Sequence, residues 1–199
     1  MPVDIFKQPL IDSIGRKRFS HSVRVMKTAT DMALAYGVPV NKTRIAAILH
    51  DCGRLKDCRS LIEYFNERNI ILDSATFLNT NLHHAVLGRF LAYDRFCITD
   101  IDILNAIRYH TTGRANMTIL EKIIYLADAI EPKREYEGVW EIRKMAMEDL
   151  DEAMIMSLVN TCGYLERKNT EIHKNTLKCL GWLENKRTGG KIGKQQRKD

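Results

Sequence analysis

The chain has 199 residues, 45% hydrophobic and 28% charged, enough for one sizeable core and short for two. No stretch approaches the roughly 18 consecutive apolar residues of a membrane span, and the N-terminus, with Asp4 and no long apolar run, does not read as a secretory signal; a cytoplasmic location is expected. The net charge is +6, but residues 186–199 account for five of those charges, so the basic balance belongs to a Gly- and Lys-rich end, expected to be a disordered tail.

Helical periodicity then dominates. Val25, Met26, Ala29, Met32, Ala33 and Tyr36 recur at spacings of three and four, and Gly37 and Pro39 stop that helix. A second helix starts after Asn41 and runs through Ile45, Ala46, Ala47, Ile48 and Leu49 into His50-Asp51. Ser60 and Glu63 form a capping box ahead of Tyr64 and Phe65. Leu82, Val86, Leu87, Phe90 and Leu91 give a further apolar face. Thr99 is expected to cap the segment ending at His110, whose turn Gly113 closes. Thr118 and Glu121 form another capping box, opening a helix that Pro132 terminates. Three more helices are expected at about 139–147, 150–168 and 176–185. With no β alternation and no repeat, the fold class is all-α: one helical domain over 1–185 and a basic tail over 186–199. The five cysteines contain no C-x-x-C pair, which speaks against a disulfide framework or a thiolate metal site and for reduced, mostly buried thiols.

The histidines carry the chemistry. His21 opens the first amphipathic helix, His50 ends the second, His83-His84 begins a later one and His110 ends the next; Asp128 lies near the end of the helix after that. Any one of them alone reads as structural. Several imidazoles and carboxylates at helix ends that can converge on one pocket read as a nitrogen and oxygen metal site, suited to iron, manganese, zinc or magnesium.

The ordered set is recognisable. His21, then His50-Asp51, then Asp128 in "YLADAIEP" resembles the signature of the HD-domain superfamily of metal phosphohydrolases. "RFSHSVRVM", "AAILHDCGR", "LHHAVLG", "AIRYHTTGR" and "GVWEIRKMA" are similar to the YqeK group within it, over about residues 10–183. The resemblance implies an HD-type helical bundle with a dinuclear metal site at converging helix ends. It implies hydrolysis of symmetrical dinucleoside tetraphosphates such as diadenosine tetraphosphate to two ADP, by attack of a hydroxide bridging two metals. His21, His50, Asp51 and Asp128 would be the superfamily ligands, with His84 and His110 supplying the second metal's positions. Asp51 would bridge both metals, and Asp128 or a neighbour would accept a proton, which makes these two the catalytic carboxylates. The implied cofactor is two divalent transition metals, iron first, with manganese, zinc or magnesium as alternatives. Two metals about 3.5–4 Å apart can clamp phosphoryl oxygens for in-line attack.

For substrate binding, the resemblance puts His21 and His84 against the phosphates beside Arg54, Thr111, Thr112, Arg114 and Arg134. Arg54 departs from the lysine common in relatives but keeps the charge and adds bidentate geometry. The alternative for Arg134 is a surface ion pair with Glu131, Glu135 or Glu137. "RANM" at 114–117 departs from the usual loop sequence, His83 reads as a wall residue, and His173 reads as a surface residue. Nucleotide products of the ADP or GDP type are expected to bind, no membrane is expected as a partner, nucleic acid could be touched only weakly through the tail, and relatives suggest a homodimer. Competing readings are an HD hydrolase of another nucleotide (a dNTP or a guanosine alarmone), a di-iron oxygenase, or a non-enzymatic ribosome- or RNA-associated binder.

Overall fold

Phe6, Leu10 and Ile14 follow one another at intervals of four residues, and all three are buried. In the computed structural model, which describes residues 3–55 and 59–195 and the side chains of all these except 59–62 and 190–195, they lie on a 3-10 turn, Val3–Phe6, and α1, Lys7–Ile14. The next helices are α2, Arg16–Tyr36; α3, Val40–Leu49; α4, Arg59–Glu67; α5, Ser74–Leu78; and α6, Thr80–Asp94. After them come α7, Ile101–Tyr109; α8, Ile119–Ile130; α9, Val139–Glu148; α10, Leu150–Arg167; and α11, Lys174–Gln195. No strand occurs among the described residues.

Two of these helices are buried over most of their length and take the centre of the bundle. In α3, Ile45 through Leu49 are all buried, and in α8 every residue from Leu120 to Ala127 is buried. Helix α2 packs on both, α7 lies against α3 and α8, and α6 lies against α7. Burial of each large aliphatic side chain in this core contributes on the order of 1.5–3 kcal/mol. The packing brings one end of α3, α7 and α8 together with the starts of α2 and α6.

The helix stops follow local chemistry. Gly37, at φ 67°, closes α2 in the left-handed region and donates its N–H to Ala33 O. Thr118 and Glu121 form the complete reciprocal capping box at the start of α8. Thr118→Ala is expected to cost about 1 kcal/mol of stability, visible as a lower midpoint in urea unfolding.

The expected elements need some adjustment. Asp100, not Thr99, caps α7, because its carboxylate reaches the N–H groups of both Asp102 and Ile103. The Ser60 capping box involves a side chain outside the described residues. The short helices α1 and α5 were not expected. Helix α11 continues past residue 185 as far as Gln195, where a disordered tail was expected from 186. Lys186 pairs with Asp151 at 2.5 Å and Arg187 with Glu152 at 3.3 Å, which ties the start of that segment to α10. Cys52, Cys162 and Cys179 are buried, Cys97 is exposed, and Cys58 lies outside the described residues.

Candidate metal centre

Two of the histidines use the same local device. His50 and His110 occupy the C-cap positions of α3 and α7. In each, Nδ1 lies 2.7 Å from the carbonyl three residues back, Ala47 O and Ile107 O respectively. A carbonyl only accepts, so Nδ1 carries the proton and donates it, which satisfies an otherwise orphaned helix carbonyl. This leaves the Nε2 lone pair of each ring free whenever the ring is neutral.

Those lone pairs meet Asp51, which is 2% exposed in the turn directly after His50. Its two oxygens divide the cluster. Oδ2 lies 3.5 Å from His50 Nε2 and 3.8 Å from His21 Nε2. Oδ1 lies 3.3 Å from His84 Nε2 and 3.8 Å from His110 Nε2. Asp128, from the last turn of α8, sits 3.0 Å from His21 Nε2 and 3.9 Å from His50 Nε2. His84 and His110 bring their Nε2 atoms within 3.1 Å of each other. All six expected ligands therefore converge, and groups of three in this set place ligand atoms within 4.8 Å of one another.

The donor set fits divalent cations. Nitrogens each about 2.0–2.1 Å from a shared cation stand roughly 3 Å apart, the separation seen between His84 and His110. His21 Nε2 and His50 Nε2 are buried without a hydrogen-bond partner among the described residues, although carboxylate oxygens surround them. Burial alone would depress the His50 pKa, but Asp51 and Asp128 raise it; the same negative potential attracts a metal ion. Burial, with His110 close by, holds His84 well below its usual value, and burial with His50 brings His110 down to about 4, so both imidazoles are neutral at pH 7. Burial opposes ionisation of Asp51, yet the positive potential of His50, with that of His84 and His110, holds it well below the usual carboxylate range. Among the described residues no thiolate competes: Cys52 Sγ is directed to Gly88 O at 3.3 Å, and burial pushes its pKa up.

The turn carrying Asp51 reaches α6 because of Gly53. A Cβ there would lie 2.1 Å from His84 O and 2.6 Å from Gly88 N, both backbone atoms that cannot step aside cheaply. Gly53→Ala is expected to push α6 away, to destabilise the fold by about 1–3 kcal/mol, and to loosen the Asp51–His84 pairing. Metal content per chain and thermal unfolding would measure the two effects separately.

Three guanidiniums surround the carboxylates. Arg54 Nε lies 2.9 Å from Asp51 Oδ1, and a guanidinium nitrogen of Arg134 lies 2.6 Å from Asp128 Oδ1. Arg134 is thus paired with the Asp128 carboxylate, not with Glu131, Glu135 or Glu137. The third, Arg18, lies 3.0 Å from Asp51 Oδ2 and was not anticipated. Their side chains are 35–39% exposed, open to solvent on one side. Arg143 fixes the loop behind Arg134 by donating to the carbonyls of Ile130, Glu131 and Arg134.

Thr111 and Thr112 lie in the loop after His110; the Thr112 hydroxyl donates to Gly113 O, and Thr111 Oγ1 is buried without a partner among the described residues. Arg114 is directed elsewhere, in a two-pronged pair with the fully buried Glu121 at 2.7 and 2.8 Å. His83 contacts Phe77 O and the Phe65 ring outside the cluster. His173, expected at the surface, is 4% exposed, because Asp73 and Thr76 supply polar partners for its ring at 3.3 and 3.2 Å.

Glu131 is the other unanticipated member. It is buried, accepts from Arg24 Nε at 2.6 Å and Lys133 N at 2.9 Å, and lies 3.2 Å from His21 Nδ1. Burial raises its pKa, but the Arg24 hydrogen bond, with those of Lys133 and His21, brings it to about 2.

The HD domain family model matches residues 18–133, a span that contains all six cluster residues. The chain is 44% identical over 164 residues to the symmetrical bis(5'-nucleosyl)-tetraphosphatase of Halalkalibacterium halodurans, covering 80% of this chain and 85% of that protein. It is 40% identical over 169 residues to the protein of the same name from Bacillus subtilis, covering 83% and 89%. A crystal structure of a predicted HD superfamily hydrolase involved in NAD metabolism, from Clostridium acetobutylicum, superposes with a TM-score of 0.88 at 41% identity over 94% of this chain and 98% of that one.

Proposed function

The chain belongs to the HD domain family, and we propose that it is a metal-dependent hydrolase that cleaves symmetrical dinucleoside tetraphosphates, diadenosine tetraphosphate among them, into two nucleoside diphosphates. The observation that carries this reading is the division of Asp51. One oxygen faces His21 and His50, the other faces His84 and His110, as a carboxylate shared between two cation positions would. His21, His50, Asp51 and Asp128 would hold one metal, and Asp51, His84 and His110 the other. When bound, the two cations supply Lewis acidity, neutralising phosphate charge and lowering the pKa of the attacking water. Iron is proposed first, since a set of imidazoles and carboxylates without thiolate suits it; manganese, zinc and magnesium are the alternatives.

The protein's own groups do the positioning. Arg18, Arg54 and Arg134, already beside the two carboxylates, are placed to take phosphate oxygens as charge-assisted partners. Thr111 offers its unpartnered hydroxyl to the same chain of phosphates. Asp128, placed at the cluster beside His21 and Arg134, is the carboxylate available to accept a proton from the attacking water. Water adds to one central phosphorus, the bridging oxygen leaves with the other half, and fully ionised diadenosine tetraphosphate plus water gives two ADP and two protons.

The test is anaerobic purification, metal analysis, and product identification on a panel of diadenosine tetraphosphate, dNTPs and guanosine alarmones, with and without oxygen. Two metals per chain and ADP as sole product, independent of oxygen, is the expected result. ATP plus AMP, turnover confined to another nucleotide, or oxygen consumption would overturn the proposal. Pairing of Lys186 and Arg187 with α10 leaves those two cations engaged, so removal of residues 188–199 is expected to leave hydrolysis intact.

A further inference from the structure

Cleavage at the midpoint of a dinucleoside tetraphosphate leaves an identical nucleoside diphosphate on each side of the broken bond. A single cavity beside the metal cluster would account for only half of such a substrate. Two cavities adjoin it. The first, of about 490 Å³, is lined by His110 and Asp128 of the cluster and by Tyr125 and Tyr136. The second, of about 640 Å³, is lined by Asn79, Lys168, Glu171 and His173 on its far side. Arg54, Asn81, Leu82, Thr111, Thr161 and Tyr164 line both and form a shared waist. Each volume lies in the range of about 300–1,000 Å³ typical of small-molecule sites.

The waist adjoins the cluster, because Arg54 is bonded to Asp51 and Thr111 follows His110 in the chain. The two lobes differ in chemistry. The first presents the Tyr125 and Tyr136 rings beside Asp128, Arg134 and Asn160; the second adds, beside Leu165, amide, ammonium, carboxylate and hydroxyl groups of the kind that read base edges and ribose hydroxyls. The second is also held in shape. Asn175 N donates to His173 Nδ1, so His173 Nε2 carries the ring proton toward Thr76 Oγ1 and Asp73 Oδ1. Thr176 Oγ1 donates to Thr112 O at 3.0 Å, tying α11 to the loop that bears Thr111. Such a wall does not have to be ordered when a ligand arrives.

Building on the hydrolase reading above, we infer that the polar cavity bounded by Asn79, Lys168, Glu171 and His173 is the subsite for the second nucleoside, with the first nucleoside in the tyrosine-lined cavity and the scissile bond at the waist. The subsite makes the enzyme prefer dinucleotides over nucleoside tetraphosphates that carry the same phosphates and one base.

The test compares diadenosine tetraphosphate with adenosine 5'-tetraphosphate on the metal-loaded full chain, for wild type, Glu171→Trp and Lys168→Glu. Glu171 and Lys168 are exposed residues at the cavity wall, and thermal unfolding checks that each variant folds. Filling or recharging the subsite is expected to raise KM for the dinucleotide about tenfold or more with little change in kcat, and to weaken calorimetric binding of its non-hydrolysable β,β'-methylene analogue in proportion. The one-base substrate should lose much less. Equal losses on both substrates, or no loss on either in a folded variant, would overturn the subsite while leaving the hydrolase reading standing. A wild type that releases no ADP from diadenosine tetraphosphate would overturn the hydrolase reading and the subsite together.

Discussion

Asp51→Ala is expected to abolish turnover by at least about a thousandfold, since a two-metal site contributes several kcal/mol of transition-state stabilisation and each 1.36 kcal/mol is a factor of ten. The expectation rests on geometry. Both oxygens of this buried carboxylate have histidine Nε2 atoms within 3.8 Å, so removal strips an anionic ligand from both halves of the cluster at once. Metal content should fall from two per chain toward zero. His84→Ala touches only the Oδ1 side and should fall toward one. Elemental analysis after gel filtration, with ADP release measured on the same samples, separates these outcomes. An Asp51→Ala protein that keeps both metals and near-normal turnover would remove Asp51 from the centre of the site. Arg18 and Arg54 both lose their partner in this variant, so its thermal unfolding must be recorded beside its activity.

The convergence of the six candidate ligand residues was legible in the sequence, whereas their supports were not, and the difference is physical. Metal chemistry admits few residue types, so His21, His50, Asp51, His84, His110 and Asp128 stand out wherever they adjoin apolar helical runs. Arg18 and Glu131 carry no such mark. Glu131 meets His21 and Arg24 across more than a hundred residues of chain, and no local spacing encodes that contact. The only local hint for Arg18 is its place three residues before His21 in a basic run. Arg114 illustrates the opposite error: an arginine after a threonine-rich loop reads as a phosphate contact, yet it neutralises the buried Glu121. His173 is surrounded in sequence by polar residues, which hides its burial against Asp73 and Thr76. For the fold, α3 was plain because Ile45 to Leu49 form a continuous apolar run, and α8 because a capping box opens it ahead of Ile123 to Ala127. By contrast, α1 offers two turns interrupted by Pro9, and α5 has five residues, too few for a periodic signal. Thr99 and Asp100 are adjacent cap residues, and only the placement of α7 decides between them.

Glu131 leads to the second large effect. A ring nitrogen that binds metal is oriented by what its other nitrogen bonds, and His21 Nδ1 is held 3.2 Å from Glu131 Oε1. Donation to that carboxylate fixes the His21 tautomer with Nε2 unprotonated. Arg24, bonded to Glu131 at 2.6 and 3.1 Å, and the N–H of Lys133 hold the carboxylate in place and keep it ionised. Glu131→Ala is expected to weaken metal retention by about 10–100-fold, read as faster metal loss to a competing chelator and as one metal per chain lost first. Glu131→Gln keeps an oxygen for His21 but loses the charge, so its effect should lie between wild type and alanine. A purely structural role would lower the unfolding temperature and leave chelator kinetics of the folded fraction unchanged; that result would sink the argument. Nitrogen-15 shifts of the His21 ring supply an independent reading. In wild type they should report the proton on Nδ1, and in Glu131→Ala a mixture of tautomers, because nothing else among the described residues bonds that nitrogen.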